Sequence, residues 1–404
     1  MKKQLIAVAV CGAFCGLAQA ESGVTVYGIL DASVMTGSKA CTNTICTLSN
    51  GAATGSTTGS VIGFQDAAIL PSIFGFSGKE DLGGGLHAGF TLEEGFNVGS
   101  GAINSSNGVL TNSPMFGRLA NLTLGGDWGT FGAGLQLDPA FEAAIGTEPR
   151  GMTDSFSSLE HWITATLGVN SPVSPPPVIL SGGIFDSNSI RYSYSGNGLT
   201  VGLLYGFGGV AGSTEASSQE SLGASYTNSG ATVSAGWVEA HAHNTTTTPT
   251  YTGASDEIYF IGAGYATGPF AVRVQYQDFK SNYNLNGTVG NNVKDWGIGG
   301  DWKAGANTLN LSFYDAKDDG AGSGAAQLIP NGDKTTEWAL LDTYSLSKRT
   351  SVYGQIASVK VASQTATSGP GVSGALGGIY TPVGLYALTG TTTTYINIGI
   401  QHTF

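Results

Sequence analysis

Charge is what this sequence has least of: charged residues make up 11% of its 404 positions, against roughly a quarter in soluble domains. Basic residues are the scarcer sign. With Lys2 and Lys3 set aside as part of the N-terminal segment described below, 14 basic residues face 28 acidic ones, a formal charge of −14. Such a surface repels phosphate backbones and argues against nucleic acid as a partner. Cysteine is nearly absent, with four residues, of which Cys11 and Cys15 lie in the first twenty. Past residue 20 no stretch approaches the ~20 apolar residues of a membrane helix. Enzyme signatures are missing as well. There is no G-x-S-x-G and no H-E-x-x-H, and Gly83-Gly84-Gly85 lacks the Lys-Ser/Thr of a phosphate loop. Nothing asks for a cofactor or a resident metal.

What is present begins with an export signal. Lys2 and Lys3 precede a short apolar stretch, Leu5 to Leu17, and Ala18-Gln19-Ala20 forms an A-x-A cleavage site. Residues 1–20 are therefore expected to be removed, leaving 21–404 as one domain outside the cytoplasm. In that compartment Cys41 and Cys46, in a Thr- and Asn-rich stretch, are expected to form a local disulfide. The loop it closes is short, so it would stiffen that loop more than stabilise the fold.

The remaining chain is rich in glycine, with 63 residues, and alternates in character every second residue. Ile396, Ile398, Ile400, His402 and Phe404 fall on one face of the last strand, and Tyr395, Asn397, Gly399, Gln401 and Thr403 on the other. Near the start Val24, Val26, Leu30 and Val34 oppose Thr25, Tyr27, Asp31 and Ser33. A soluble β-sandwich array and a transmembrane barrel both read this way, and loop lengths separate them. Tight turns are expected at Leu82–Gly85, Gly126–Gly129, Gly196–Gly198, Ser229–Gly230, Thr267–Pro269, Lys303–Ala306 and Ser347–Thr350. Between them come long loops: Thr36–Leu70, Asn97–Gly117, Pro139–Ser189, Gly208–Gln219, Ala240–Ser255, Lys280–Asn292, Ala316–Asp333 and Ala362–Thr392. Seven short turns alternating with eight long loops imply sixteen strands. Short periplasmic turns and long external loops are the signature of an all-β transmembrane antiparallel β-barrel. Terminal Phe404, on an amphipathic strand, suits recognition by the barrel-assembly machinery.

Several stretches resemble the general-diffusion porins of β-proteobacteria, the Burkholderia and Neisseria type. Val24 to Ala32 resembles their first strand, and Gly78-Lys79-Glu80-Asp81-Leu82-Gly83-Gly84-Gly85-Leu86 their first periplasmic turn. Met115 to Arg118, Asn188 to Tyr192 and the turn Tyr344 to Thr350 extend the likeness along the chain. The resemblance implies a homotrimer in the outer membrane, in contact with its lipids and lipopolysaccharide. It implies passive passage of small hydrophilic solutes and ions, with a third loop folded inward as constriction. Here that loop is Pro139–Ser189, which lacks a Pro-Glu-Phe-Gly-Gly element. Its charged residues Glu142, Glu148, Arg150 and Asp154 are the constriction candidates, followed by Glu160, His161 and the run Ser174 to Pro177. Glu93, Arg118, Arg191 and Arg273 are expected on the lumen wall.

The lining departs from the family. Where its members carry lumen arginines this chain is expected to have Ile73, Ser77, Leu135 and Phe185, and its C-terminus has Gln401 and Thr403. Fewer arginines within an acidic chain point to weak cation selectivity, or to neutral and partly apolar solutes. His241-Ala242-His243 has a metal-chelating spacing, but a solvated external loop is the expected setting. Asp256-Glu257 and Asp318-Asp319 read as solubilising pairs. A barrel enzyme and a surface adhesin or structural protein are the rival readings.

Overall fold

The computed structural model describes residues 23–41, 48–49, 52–53, 58–103, 115–157, 159, 178–180, 184–244, 250–281, 292–318, 334–361, 386–387 and 392–404. The export signal, Cys46 and with it the disulfide to Cys41, Glu160, His161, Asp319 and the run 174–177 lie outside them.

Antiparallel pairing of each strand with the next builds a closed barrel of sixteen strands. They are β1 (Val24–Cys41), β2 in two pieces (Thr58–Asp66 and Ile73–Gly83), β3 (Leu86–Gly95), β4 (Leu119–Gly126) and β5 (Gly129–Leu137). Then follow β6 (Phe185–Gly196), β7 (Leu199–Gly206), β8 (Gln219–Asn228), β9 (Ala231–Asn244), β10 (Thr250–Thr267) and β11 (Phe270–Ser281). The circuit ends with β12 (Asn292–Ala304), β13 (Asn307–Asp318), β14 (Lys334–Ser345), β15 (Thr350–Val361) and β16 (Thr392–Thr403). Closure is direct: β1 pairs with β16 from Ile29↔Thr403 to Ser38↔Thr394. Closing the sheet leaves no edge and pairs the backbone groups of every strand, which is what lets strands cross hydrocarbon. No helix among the described residues is long and apolar enough to cross a membrane.

Alternation along the strands sets the two faces. Ile396 and Ile398 of β16 are exposed on the outside, while Tyr395 and Asn397 are fully buried inside. In water an exposed row of isoleucine, leucine and valine would be costly; in a barrel it is the lipid-facing band. All seven anticipated short turns fall between consecutive strands. The first shows why its glycines are there: Gly83, Gly84 and Gly85 have φ of 79°, 63° and 82°, a left-handed run that residues with a Cβ resist.

Three long-loop boundaries differ from expectation. β1 runs on to Cys41 and β2 begins at Thr58, so much of the expected Thr36–Leu70 loop is strand. β9 reaches Asn244 and β10 starts at Thr250, which places His241 on a strand rather than in the expected solvated loop. β6 begins at Phe185, ahead of Ser189. For Thr58 and for Thr250 to Thr252 the reason is chemical: such stretches look like loops by polarity, yet β-branched threonine suits an extended ladder once a partner strand is beside it.

The interruption of β2 at 67–72 matters most for the interior. Ala67 takes a φ of 58°, and the chain turns inward where Asp31 of β1 collects it. Asp31 accepts the Ile69 and Leu70 N–H groups at 3.0 and 3.1 Å, with the Tyr353 hydroxyl and Gln401 Nε2 as further donors.

Candidate pore constriction

The inward-folded segment starts at Asp138-Pro139. Asp138 caps a short helix, α1 (Pro139–Ile145), accepting the Ala140 and Phe141 N–H groups at 2.7 and 3.0 Å. Proline at the first helical position costs no hydrogen bond and fits the cap. Ser221 and Gln219 of β8 also donate to the Asp138 carboxylate, at 2.9 and 3.3 Å. Burial pushes this carboxyl above its ordinary range, and those four donors pull against the shift.

The wall opposite α1 is pared down to receive it. A Cβ on Gly202 of β7 would sit 2.7 Å from Pro139 Cβ, and one on Gly236 of β9 would sit 2.8 Å from Ala140 Cβ. Glycine is what lets helix and sheet approach this closely. Ala140, Ala143 and Ala144 then pack with Val238, Ile258 and Phe260 in an apolar cluster inside the barrel.

Beyond α1 the segment is pinned along the inner wall strand by strand. Thr147 donates to Gln275 of β11 at 3.0 Å and bonds Ser234 of β9. The Glu148 carboxylate is fully buried. It accepts the Arg150 and Met152 N–H groups at 2.6 and 2.7 Å, the Ser157 hydroxyl at 2.7 Å, and the Tyr314 hydroxyl from β13. The Pro149 carbonyl takes Arg273 of β11 at 3.1 Å and Asn310 of β13 at 3.0 Å. Arg150, also buried, donates to Thr153 at 3.1 Å and to Gln355 of β15 at 2.9 Å. The tip lands on the inward break of β2: Asp154 and Ser155 N–H donate to the Ile69 and Ala68 carbonyls, both at 3.2 Å. Phe156 stacks 5.7 Å from Tyr395 of β16.

The wall arginines expected from sequence each meet a carboxylate. Arg118 Nε donates to Glu93 at 2.7 Å, and Tyr27 holds the other Glu93 oxygen at 3.0 Å. Arg191 bonds Glu142 of α1 and the Leu137 carbonyl. Arg273 bonds Asp301 of β12. Glu142 is the half-exposed member, its side chain 45% accessible.

Of the positions where arginine was expected and is missing, Ile73 is buried on the inner face and Gln401 reaches Asp31. Phe185 lies under the Arg118 guanidinium, 4.5 Å from its ring centre. Leu135 departs from expectation: it shares the outward face of β5 with exposed Phe131, while Gln136 is the buried inward neighbour. A one-residue displacement reverses the face of a strand residue.

Sequence reading passed over the groups that hold the segment in place: Asp138, Asp31, Tyr314, Gln355 and the glycines facing α1. The Asp-Pro pair before an alanine-rich stretch was a legible helix start. The anchors on β13, β15 and β2 carried no local signal, because their partners are more than 80 residues away. His241, on the outer side of β9, pairs with Glu220 at 3.0 Å. No group of three metal-ligating side chains occurs among the described residues.

Known proteins show the same plan. An outer membrane porin protein of Bordetella pertussis is 28% identical over 358 residues, covering 83% of this chain and 75% of its own. Outer membrane porin protein 32 of Delftia acidovorans is 29% identical over the whole of both chains. Among solved structures, an anion-selective porin from Comamonas acidovorans superposes with a TM-score of 0.68 at 22% identity, covering 95% of this chain and all of that one. OmpT of Vibrio cholerae in its trimer form gives 0.57 at 13%, covering 95% and 99%. The family model for Gram-negative porins matches residues 7–364, and with a closed sixteen-stranded barrel around an inward segment the chain belongs to that family, as an outer-membrane porin.

Proposed function

We propose that the protein assembles as a homotrimer of water-filled pores through which small hydrophilic solutes diffuse passively, with a lumen weakly selective for cations and open to neutral dipolar solutes. The observation that carries the selectivity is the pairing of the arginines: Arg118, Arg191 and Arg273 each face a carboxylate. Fixed positive charge in a pore lowers the barrier for anions only where a carboxylate does not cancel it. Glu142, on α1 and half-exposed, is the loop acid assigned to the constriction, with Asp154 at the segment's far end. Glu148 and Arg150, both buried, position the segment.

Transport of this kind needs no cofactor, nucleophile or energy input. Solutes move down their gradients through a lumen whose wall arginines are each matched by a carboxylate. The trimer form of OmpT, similar in fold, supports the assembly. Single-channel recording of the refolded chain tests the reading. Open steps with a reversal potential of cation-selective sign in a KCl gradient are expected, and an anion preference would overturn the selectivity. A sealed barrel would overturn the pore altogether and favour an adhesin or a barrel enzyme.

A further inference from the structure

The inward segment leaves the wall after Leu137 of β5 and rejoins it at Phe185 of β6. Its two ends lie side by side, for the Asp138 N–H donates to the Ile184 carbonyl at 2.8 Å and Gln136 is in register with Asp186. Asp138 and Asp186 are therefore diagonal neighbours across the two strands, close enough for their side chains to meet. Both are buried, at 0% and 2% exposure. Their surroundings differ. Asp138 Oδ1 accepts the Ala140 and Phe141 N–H groups and the Ser221 hydroxyl, and Oδ2 accepts Gln219. Among the described residues no N–H or hydroxyl donates to either oxygen of Asp186, and its hydrogen-bond partner is the Asp138 carboxyl.

Two ionised carboxylates cannot hydrogen-bond each other, because each can only accept. Buried side by side, such a pair keeps one proton. The donors decide where it sits. Hydrogen bonds favour the ionised form at Asp138, while Asp186, without water or donors, takes the neutral form. No neighbouring cation replaces that proton. Arg191 of β6 attracts Asp186, but its guanidinium is engaged by Glu142 of α1 and by the Leu137 carbonyl. Arg118, against Phe185, is bonded to Glu93. Towards the pair β5 and β8 present Gln136, Gln219 and Ser221, and β7 presents Leu204 and Gly206, none of which titrates.

We propose that Asp186 holds a proton which it donates to Asp138, that this carboxyl–carboxylate bond clamps the two ends of the inward segment together, and that its loss as pH rises loosens the constriction. The folded chain keeps a proton that an exposed aspartate would have released, so the clamp is present at low and neutral pH and is lost as pH rises. Without the proton, two like charges are left in contact where the segment is rooted. The effect on the pore rests on the reading of this segment as the constriction, whereas the shared proton does not.

The test uses the full refolded chain. Infrared difference spectroscopy reads the proton directly: the protonated-carboxyl band at neutral pH is expected to lose one carboxyl in Asp186→Asn and likewise in Asp138→Asn. In each variant an amide donates to the carboxylate that remains, so either serves if the other does not fold. Asparagine at 138 also keeps the helix cap. In planar bilayers, between about pH 5 and about pH 10, the parent's open steps should grow larger and noisier as pH rises, and both asparagine variants should lose that dependence. Glu239→Gln, on the outer face of β9 between buried Val238 and Ala240, should keep the parental band and pH profile. An infrared band unchanged in both asparagine variants would overturn the proposal, and so would an asparagine variant whose pH profile matches the parent's. A parent without open steps would instead count against the pore reading, and the infrared band would still decide the proton.

Discussion

At the scale of single residues the pore is a set of cancelled charges. Glu142 is the partner most readily removed, being half-exposed. Glu142→Gln is expected to release the Arg191 guanidinium into the lumen and move the KCl reversal potential toward anions, with little change in thermal stability. An exposed ion pair contributes only about 0–1 kcal/mol, which is why the readout is selectivity and not melting. Glu93→Gln should act in the same direction through Arg118, although Tyr27 also loses an ionised acceptor there. Sequence reading named Glu142, Glu93 and all three wall arginines, because a charge in a chain with few of them stands out. Their pairing was invisible, since Arg191 and Glu142 are 49 residues apart and meet only through the fold.

At the scale of the element, the inward segment is held by anchors more than by its own structure, for α1 has seven residues and is too short to persist alone. Glu148 is the central anchor, collecting four donors within a buried site. Glu148→Ala would leave those donors without their acceptor, at about 1–3 kcal/mol for each that stays unpaired. The expected outcome is a loosened segment, seen as larger and noisier single-channel steps from a barrel that still resists heat. Gly236→Val should act from the wall side. Its side chain would meet the Phe260 ring of β10, 2.3 Å from a Cβ, and Ala140 of α1, 2.8 Å away, so ring and helix must both shift, and the conductance should again change while the sheet persists. Unchanged steps in both variants would show that the segment does not set the pore's width.

At the scale of the whole molecule, two faces obey opposite rules. Between Trp296 and Trp302 of β12 the outward residues are Ile298 and Gly300, in the stretch that faces hydrocarbon. Ile298→Arg is expected to destabilise the barrel by about 2–4 kcal/mol, measured by equilibrium refolding into lipid vesicles. Thr91→Arg, on the inner face of β3 where Thr91 keeps partial exposure, should change selectivity and leave the refolding midpoint closer to the parent's. Equal losses of stability in both would contradict the lipid and lumen assignment. Closure through β1 and β16 ties the two chain ends into one ladder, so the last strand is required for the barrel to have no open edge.

The sequence by itself determined the barrel: strand count, the two faces of the first and last strands and the seven short turns follow from period-2 alternation and from glycine where φ turns positive, and both are local physics. The tertiary structure alone decided how the interior is arranged. Which carboxylate cancels which arginine, where the inward segment lands on broken β2, and that Leu135 faces outward all depend on contacts between residues far apart in the chain.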